Sequence, residues 1–235
     1  MPAGLAPDIL AIVPARGGSK RIPGKNLKQV GGISLMQRTA NAVAGCGFPL
    51  PVVLSTDDPA IAEAGEKLGW TVPFTRPAEL SGDLAGTAET VLHAVDFWMA
   101  DGNPEPALLL VLQVTSPFRT AGDIAKAVDI MADRPDADAV IGMSALHVGR
   151  RYVFSTGDDG FATKIDPDDR DGLALVPNGA LYLIRTAALR RSLSFYDGSI
   201  VPLVMGQIES MDIDTEMDLQ IANALSPLAD DGQNA

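Results

Sequence analysis

The sequence predicts an α/β protein with a mainly parallel sheet, and two observations support this prediction. Mostly apolar runs of five to seven residues recur along the chain, and amphipathic stretches of helical length lie between most of them. The apolar runs are continuous rather than alternating, which is typical of strands covered on both faces. Strands and helices that alternate at this spacing indicate βαβ units.

The elements can be assigned in chain order. The predicted strands are ILAIV (9–13), VVLST (52–56), ALLLVLQ (107–113), AVIGMSA (139–145) and ALYLI (180–184). The predicted helices are SLMQRTANAVAG (34–45), DPAIAEAGEKLG (58–69), TAETVLHAVDFWM (87–99) and DIAKAVDIMAD (123–133). We expect Asp57 or Asp58 to cap the second helix, Gly69 to end it, and Thr87 to cap the third.

The segment 146–177 interrupts this alternation. Turn-forming residues predict a short hairpin there, YVFST turning into FATKI, within a small protruding subdomain. The main α/β domain is therefore expected to comprise residues 8–145 and 178–225. The polar tail, 226–235, is expected to be disordered.

Composition excludes several classes of protein. The chain has 235 residues and a formal net charge of −12, which argues against nucleic acid or an anionic membrane as a partner. One cysteine permits no internal disulfide, and one cysteine with two histidines argues against a Cys/His zinc site. Any metal should be a hard cation held by carboxylates. The start of the sequence lacks a signal-peptide pattern and no run is long enough to span a membrane, so we expect a cytoplasmic protein.

One loop contrasts with this acidic background. ARGGSKRIPGKN (15–26) follows the first predicted strand and holds four of the eighteen Lys and Arg residues. Open α/β sheets bind ligands beyond the carboxyl ends of their strands. Glycines let backbone N–H groups approach phosphate oxygens closely, and basic side chains add positive charge. The pattern favours an anion-binding loop over a solvated surface loop.

The loop is not a Walker P-loop. That motif places four residues between its first Gly and the GK[ST] triplet, whereas five residues separate Gly18 from Gly24 here. Asn26 stands where the motif needs a metal-binding hydroxyl. The loop does not match G-x-G-x-x-G either.

Five stretches in order resemble the acylneuraminate cytidylyltransferases, the CMP-sialic acid synthetases and their relatives. They are ARGGSKRIPGKN (15–26), RPAELSGD (76–83), LQVTSPFR (112–119), PNGALY (177–182) and MDIDTEMDL (211–219). The resemblance covers roughly residues 9–225. It implies the three-layer nucleotide-diphospho-sugar transferase (Rossmann-like) fold, CTP and a sugar acid as substrates, Mg²⁺, a homodimer, and a role in cell-surface glycan biosynthesis.

The resemblance also implies a nucleotide site. The residues expected to bind the phosphates and ribose of CTP are Arg16, Ser19, Lys20, Lys25 and Asn26. Lys and Arg can neutralise charge that develops on a transferring nucleotidyl group. Arg76 and Thr87 match positions near the nucleotide, with a surface ion pair and a helix cap as their respective alternatives.

Other matches imply a sugar site. The residues expected there are Gln113, Ser116, Arg119, Arg151, Asn178 and Gly179. An amide is no general base, so Gln113 would orient the substrate. Ser116 could equally be a turn residue and Arg119 a brace for the loop. Val176 stands where sialic-acid enzymes often carry Arg, which leaves the particular sugar open.

A pair of carboxylates carries the metal prediction. In extended backbone, Asp212 and Asp214 would point to one face, while on a helix they could not share an ion. We therefore expect both to bind a cation and a helix to begin after them, near Thr215. The alternative is that Asp214 only caps that helix.

The resemblance and these residues together imply a Mg²⁺-dependent cytidylyltransferase that activates an N-acylneuraminate and releases pyrophosphate. The residues expected to carry catalysis are Arg16, Lys25, Gln113 and Asp214. The same chemistry on a legionaminic-, Kdo- or related acid is one alternative, and a non-catalytic nucleotide-binding regulator is another.

Overall fold

The computed structural model describes residues 8–82, 85–149, 152–156, 161–165 and 173–232. Within them the chain alternates strands and helices, as the sequence predicts. The strands are β1 (Ile9–Pro14), β2 (Gln29–Val30), β3 (Ile33–Ser34), β4 (Val52–Ser55), β5 (Leu108–Val111), β6 (Ala139–Ala145), β7 (Phe154–Thr156), β8 (Ala162–Lys164), β9 (Leu175–Arg185) and β10 (Ile200–Met205). The helices are α1 (Leu35–Ala44), α2 (Pro59–Lys67), α3 (Thr87–Ala100), α4 (Ala121–Asp133), α5 (Thr186–Ser192) and α6 (Glu216–Gly232).

Six strands form the main sheet, in the order β10-β6-β9-β5-β1-β4. β1 is parallel to both β4 and β5, and β10 is parallel to β6. β9 is antiparallel to its two neighbours, β5 and β6. The sheet is thus mixed and mainly parallel, and the prediction of an α/β fold is confirmed. β2 pairs with β3, and β7 with β8, in two small antiparallel hairpins.

Two apolar layers cover the sheet. One face packs against α1, α4 and α6 through side chains such as Leu35, Ile124 and Ala222, all fully buried. The other face packs against α3 and α5 through Val91 and Leu189. Adjacent residues of a strand point to opposite faces, so a strand within this three-layer arrangement is apolar at every position. This explains the continuous apolar runs.

Local signals set most helix ends. Asp58 caps α2, its carboxylate accepting from the N–H groups of Ala60 and Ile61, and Gly69 follows the helix with φ of +78°. Thr120 and Asp123 form a capping box at α4. The prediction that Thr87 caps α3 is wrong, because Gly86 takes the cap position and Thr87 is the first helical residue.

Two boundaries also differ from the predictions. The last helix continues from Glu216 to Gly232 with Pro227 inside it, so the expected disorder from residue 226 is wrong as far as residue 232. Ala222 and Ala229 of this helix are buried, and this packing outweighs the polar composition of the tail. Residues 233–235 lie outside the described part of the chain. The main sheet resumes at Leu175, before the expected residue 178.

The predicted hairpin in the protruding segment is present as β7 and β8, which pair from Phe154↔Lys164 to Thr156↔Ala162. Residues 157–160, between these strands, lie outside the described part of the chain. No helix in the described part of the chain is long and apolar enough to cross a membrane.

β9, which lies between β6 and β5, contains a bulge where it pairs with β6. Ile141 pairs with Tyr182, yet Met143 pairs with Pro177, so β9 has extra residues opposite Gly142. Bulges re-aim side chains near functional sites. Here the bulge contains Asn178 and Gly179, and a Cβ on Gly142 would lie 2.9 Å from the Asn178 Oδ1 atom.

Candidate functional site

A cavity of roughly 330 Å³ opens at the carboxyl ends of β1 and β5, and we call it the central cavity. It gathers side chains from distant parts of the sequence. Those that the sequence predicts as site residues are Arg16, Lys25, Asn26, Arg76, Thr87, Gln113, Asp212 and Asp214. The other lining residues are Pro14, Leu80, Gly82, Ala85, Thr90, Val114 and Thr115. The fold therefore brings together eight residues that were selected from sequence patterns.

A second cavity of roughly 420 Å³, the loop cavity, lies against the basic loop. It shares four lining residues with the central cavity: Arg16, Lys25, Asn26 and Asp214. Ser19, Lys20 and Arg21 complete its lining. Four of its seven lining residues are positively charged, two are neutral hydrogen-bonding residues, and Asp214 is acidic. This charge distribution suits a polyanion that extends from one cavity into the other.

Hydrogen bonds within the loop set its shape. Asn26 is buried, and its Nδ2 atom donates to the Arg16 carbonyl oxygen over 2.8 Å. Gly24 has φ of +64°, which a residue with a side chain rarely adopts. The Asn26 amide thus holds the two ends of the loop together, a structural task in addition to the expected contact with CTP.

Lys25 links the basic loop to the acidic pair. Its Nζ atom donates to the Ile213 carbonyl oxygen at 2.9 Å and to Asp214 Oδ1 at 3.0 Å. The Lys25 side chain is 16% exposed, which strengthens its attraction to the carboxylate relative to a fully solvated pair. The Arg21 guanidinium lies 3.5 Å from the other Asp214 oxygen. Two cations of the loop therefore contact one carboxylate between the two cavities.

Arg76 is a buried cation in the cavity wall. Its Nε atom donates to Ser55 Oγ at 3.0 Å, and its Nη2 atom donates to the Ser55 carbonyl oxygen. Burial lowers its pKa to about 10, while nearby Asp57 raises the pKa and Arg16 lowers it. The alternative of a solvated surface ion pair does not match this environment. Arg16 and Arg76 together place two positive charges beside the central cavity.

Asp212 and Asp214 lie in an irregular segment between β10 and α6, not in a strand. Both still line the central cavity, while Ile213 between them is fully buried. Burial raises the pKa of the Asp212 carboxyl, and the Asp214 charge raises it further, against a hydroxyl interaction from Thr115 that lowers it. The two carboxylates therefore line one cavity, and their joint binding of a cation stays a prediction.

The helix that follows is capped without Asp214. Thr215 Oγ1 accepts from the Asp218 N–H at 3.2 Å, and Asp218 Oδ2 accepts from the Thr215 N–H at 2.7 Å. This reciprocal pair is a capping box. Asp214 contributes only its backbone N–H, which donates to Asp218. The alternative that the Asp214 side chain caps the helix is wrong.

The acidic pair fits a Mg²⁺ ion that is shared with a substrate. Asp212 Oδ1 is buried and accepts no hydrogen bond in the structure, so a negatively charged oxygen lacks a partner. Among the described residues, no cluster of three or more His, Cys, Asp and Glu side chains could hold a metal. Mg²⁺ is commonly held by one or two carboxylates together with substrate phosphates and water. Asp212 and Asp214 match that kind of site.

Gln113 connects the central cavity to a third one. It lines the central cavity and also the aromatic cavity, a space of roughly 310 Å³. The other residues that line the aromatic cavity are Gly86, Thr87, Ala88, Glu89, Tyr182, Leu193, Ser194, Phe195 and Tyr196. Tyr182 and Tyr196 share a hydrogen bond between their hydroxyls, 3.2 Å apart. Burial and this contact raise the pKa of Tyr182.

Gly179 lies against Gln113. Its φ is +78°, and a Cβ there would lie 3.0 Å from Gln113 Oε1 and 3.9 Å from Asp212 Oδ2. Gly179 therefore lets the Gln113 amide and the Asp212 carboxylate approach the β9 bulge. Asn178 is buried and shapes the same bulge, since its Oδ1 accepts from the Ala180 N–H and its Nδ2 donates to Ser210.

Two other expected sugar-site residues lie behind the cavity wall. Arg119 is 3% exposed and donates to the carbonyl oxygens of Gln113 and Ala180 and to Thr39 Oγ1. Burial lowers its pKa to about 10. Ser116 is also buried, and its hydroxyl has no hydrogen-bond partner. The arrangement of Arg119 fits the bracing alternative. Arg151 lies outside the described residues.

Sequence reasoning missed residues of two kinds. Thr90 and Thr115 line the central cavity, and Thr115 follows Gln113 closely enough to have been found from the same motif. Ser55 and Asp57 contact the loop and Arg76 from the end of β4. The signal for these two was the polar STDD stretch at the end of β4, in which Ser55 and Thr56 were assigned to the strand and Asp57 and Asp58 were considered only as helix caps.

Comparison with known proteins identifies the chain's relatives. Residues 10–167, more than half of the chain, match the family described as "Cytidylyltransferase". The CMP-N,N'-diacetyllegionaminic acid synthase of Legionella pneumophila is 31% identical over 230 residues, which span 94% of this chain and 97% of that protein. The N-acylneuraminate cytidylyltransferase of Escherichia coli O18:K1:H7 is 26% identical over 91% of this chain, and the match spans 51% of that relative.

A solved structure shows the same fold. CMP-2-keto-3-deoxy-manno-octonic acid synthetase complexed with CTP matches with a TM-score of 0.66 and 17% identity, over 94% of this chain and 98% of that one. The match confirms the expected nucleotide-diphospho-sugar transferase fold. With the family match over most of the chain, it follows that this protein belongs to the cytidylyltransferase family and is a nucleotidyltransferase enzyme.

Proposed function

We propose that the protein transfers CMP from CTP to a nine-carbon 2-keto sugar acid, giving the CMP-sugar and pyrophosphate. The observation that carries this proposal is that the central cavity adjoins the other two. The cation-lined loop cavity shares Arg16 and Lys25 with it, and the aromatic cavity shares Thr87 and Gln113 with it. This arrangement suits a triphosphate on one side of the reaction centre and an organic acceptor on the other.

The residues divide into roles by their contacts. Arg16, Lys20 and Lys25, with Ser19, face the loop cavity and would hold the phosphates of CTP. Charge builds up on the departing pyrophosphate, so cations that are already in place stabilise the transition state without reorganisation. Asp212 and Asp214 would hold Mg²⁺, which when bound stabilises charge on the phosphate oxygens. Arg76 and Thr87 would complete the nucleotide site.

Gln113 would orient the acceptor. Its amide lies between the central and the aromatic cavities, fixed on one side by Gly179. The sugar's anomeric hydroxyl would attack the α-phosphate from the aromatic side. Correct placement of two reactants accounts for a large part of the rate of such reactions. Arg119 would act as a positioning residue, because it holds the backbone of Gln113.

A legionaminic-type acid is the first candidate among nine-carbon acids, with an N-acylneuraminate next. The legionaminate relative matches over nearly its whole length, whereas the match to the neuraminate relative spans about half of that protein. The aromatic cavity also presents Leu193, Phe195 and Tyr182 to its occupant. Such side chains favour a sugar that carries two acetyl methyl groups, because apolar contacts then replace water on both partners.

The test is a matrix of nucleotides and acids with Mg²⁺, read by pyrophosphate release and by separation of the CMP-sugar. The acids are N,N'-diacetyllegionaminic acid, N-acetylneuraminic acid and Kdo, and the nucleotides are CTP, UTP and ATP. We expect the highest kcat/KM for CTP with a nine-carbon acid. CTP binding without turnover on any acid would support the non-catalytic regulator instead.

Asp214→Asn tests the metal role in the same assay. The change keeps the side-chain volume and removes the charge, and Asp214 is more than half exposed, so little stability should be lost. We expect most activity to disappear and the Mn²⁺ affinity of the CTP complex, read by electron paramagnetic resonance, to fall. Full activity in this variant would refute the metal role.

A further inference from the structure

We propose that Asp57, at the end of β4, is a positioning residue that fixes the basic loop for the triphosphate by accepting a hydrogen bond from the Gly17 N–H. This inference rests on the proposed function, because it assigns a task within the CTP site. Asp57 lines neither the central nor the loop cavity, so its effect on the nucleotide would pass through the loop backbone.

The topology places Asp57 where it can act. β4 lies at the edge of the main sheet and is parallel to β1, with Pro14 paired to Ser55. The carboxyl ends of these two strands therefore emerge side by side. The Ala15 N–H donates to the Ser55 carbonyl oxygen at 2.9 Å, which continues the ladder by one residue. The Gly17 N–H then donates to Asp57 Oδ1 at 2.8 Å.

Each residue of the STDD stretch has its own contact. Ser55 accepts from Arg76, and Thr56 Oγ1 accepts from the Asp58 N–H. Asp58 caps α2 through the N–H groups of Ala60 and Ile61. Asp57 differs from the other three because its side chain accepts a hydrogen bond from the basic loop. Two neighbouring aspartates therefore have separable tasks.

Gly17 itself is constrained by the neighbouring side chain of Asp58. A Cβ at Gly17 would lie 2.5 Å from Asp58 Oδ2 and 2.8 Å from Asp58 Cβ. The backbone of the basic loop thus passes so close to the end of β4 that a side chain would not fit. This close approach brings the Gly17 N–H within reach of Asp57. It also sets the backbone position of the preceding residue, Arg16.

The charge of Asp57 also suits this position. Its carboxylate favours the charged form of Arg76, while Arg16 disfavours it. A single carboxylate beside two arginines reduces their mutual repulsion before the nucleotide binds. Asp57 would therefore stabilise the charged Arg76 guanidinium beside the central cavity without occupying the place of a phosphate.

The experiment compares Asp57→Ala, Asp57→Asn and Asp58→Ala with the wild-type chain. Asn keeps an oxygen that can accept from Gly17, whereas Ala removes it. Asp58→Ala is the matched control, because it removes the cap of α2 and leaves the loop contact in place. The measurements are the Kd for CTP by calorimetry, KM and kcat by pyrophosphate release, and Tm.

We expect Asp57→Ala to raise the Kd and KM for CTP about tenfold, which corresponds to the loss of one hydrogen bond to a charged group. The value of kcat should change less than KM, and Asp57→Asn, which keeps the acceptor oxygen but not the charge, should recover part of the affinity. Asp58→Ala should lower Tm and leave the Kd for CTP unchanged.

Three results would overturn the inference: wild-type affinity in Asp57→Ala, equal losses of affinity in Asp57→Ala and Asp57→Asn, or equal losses in Asp57→Ala and Asp58→Ala. The proposed function fails in a different way, namely when the wild-type chain itself does not bind CTP or turn it over. The two failures are therefore distinguishable within one set of measurements.

Discussion

Replacing Gly179 by Ala, compared with the same change at Gly32, should separate the cost of backbone strain to stability from the effect of a displaced Gln113 on activity. Gly179 has φ of +78°, and the left-handed region costs a residue with a side chain about 1–2 kcal/mol. Its new Cβ would also lie 3.0 Å from Gln113 Oε1, which is tighter than an ordinary contact, so the amide must move by a few tenths of an ångström.

Gly32 supplies the matched control. It has the same φ of +78°, and a Cβ there would meet no atom within 4 Å. Gly32→Ala therefore carries the backbone cost alone. Each variant should lower Tm by roughly 2–8 °C, from 1–2 kcal/mol at about 2–4 °C per kcal/mol for a domain of this size.

Activity should distinguish the two variants. If the Gln113 amide orients the sugar acid as proposed, its displacement misaligns the substrate, and Gly179→Ala should lower kcat/KM for the sugar acid about tenfold. Gly32→Ala should keep the wild-type value. The assay is pyrophosphate release at saturating CTP, with Tm by calorimetry. Equal kcat/KM values in the two variants, at equal losses of stability, would refute the reasoning about Gln113.

Two further predictions concern stability. Asp138 accepts from the Ser199 N–H and from Arg191, and these two contacts lower its pKa below the usual 3.8. The stability that this carboxylate adds to the fold is therefore present above the usual pKa. It is lost as the pH falls through the lower pKa of the folded state. Asp138→Asn should lower Tm at pH 7, and the difference from wild type should close in acid; a constant difference at every pH would contradict this. Thr215→Ala should cost about 1 kcal/mol through the lost cap of α6, seen as a fall in Tm of roughly 2–4 °C. Thr120→Ala, which opens the equivalent box of α4, is the comparison, and an unchanged Tm in both variants would contradict the capping argument.

Much of the site was predictable because its signals are local. Each strand that ends at the central cavity is marked by an apolar run, and the loop after β1 is marked by its charge and glycines. The acidic pair precedes a helix whose start the sequence also indicates. Parallel strands present their carboxyl ends at one edge, so residues that follow different strands converge there. Eight predicted residues therefore line one cavity.

Other features were not predictable, because they depend on which segments become neighbours. The proline in IVPLVM (200–205) argues against a strand. The segment nevertheless pairs with β6 as β10, at an edge of the sheet where proline is tolerated. Arg119 reads as a site residue until the structure shows its guanidinium buried behind Gln113. Burial of a charged group is a property of the folded chain and leaves no mark on its neighbours in sequence.

The sequence by itself determined the class of fold, the basic loop and the pair of carboxylates, since periodicity and residue chemistry are carried by consecutive residues. Only the tertiary structure decided that Lys25 reaches Asp214, that the β9 bulge sets Gly179 against Gln113, and that Asp57 holds Gly17. Each of these contacts joins residues that are far apart in the chain. They form because the order of strands in the sheet and the register of their pairing bring the strand ends together, and neither can be read from a local pattern.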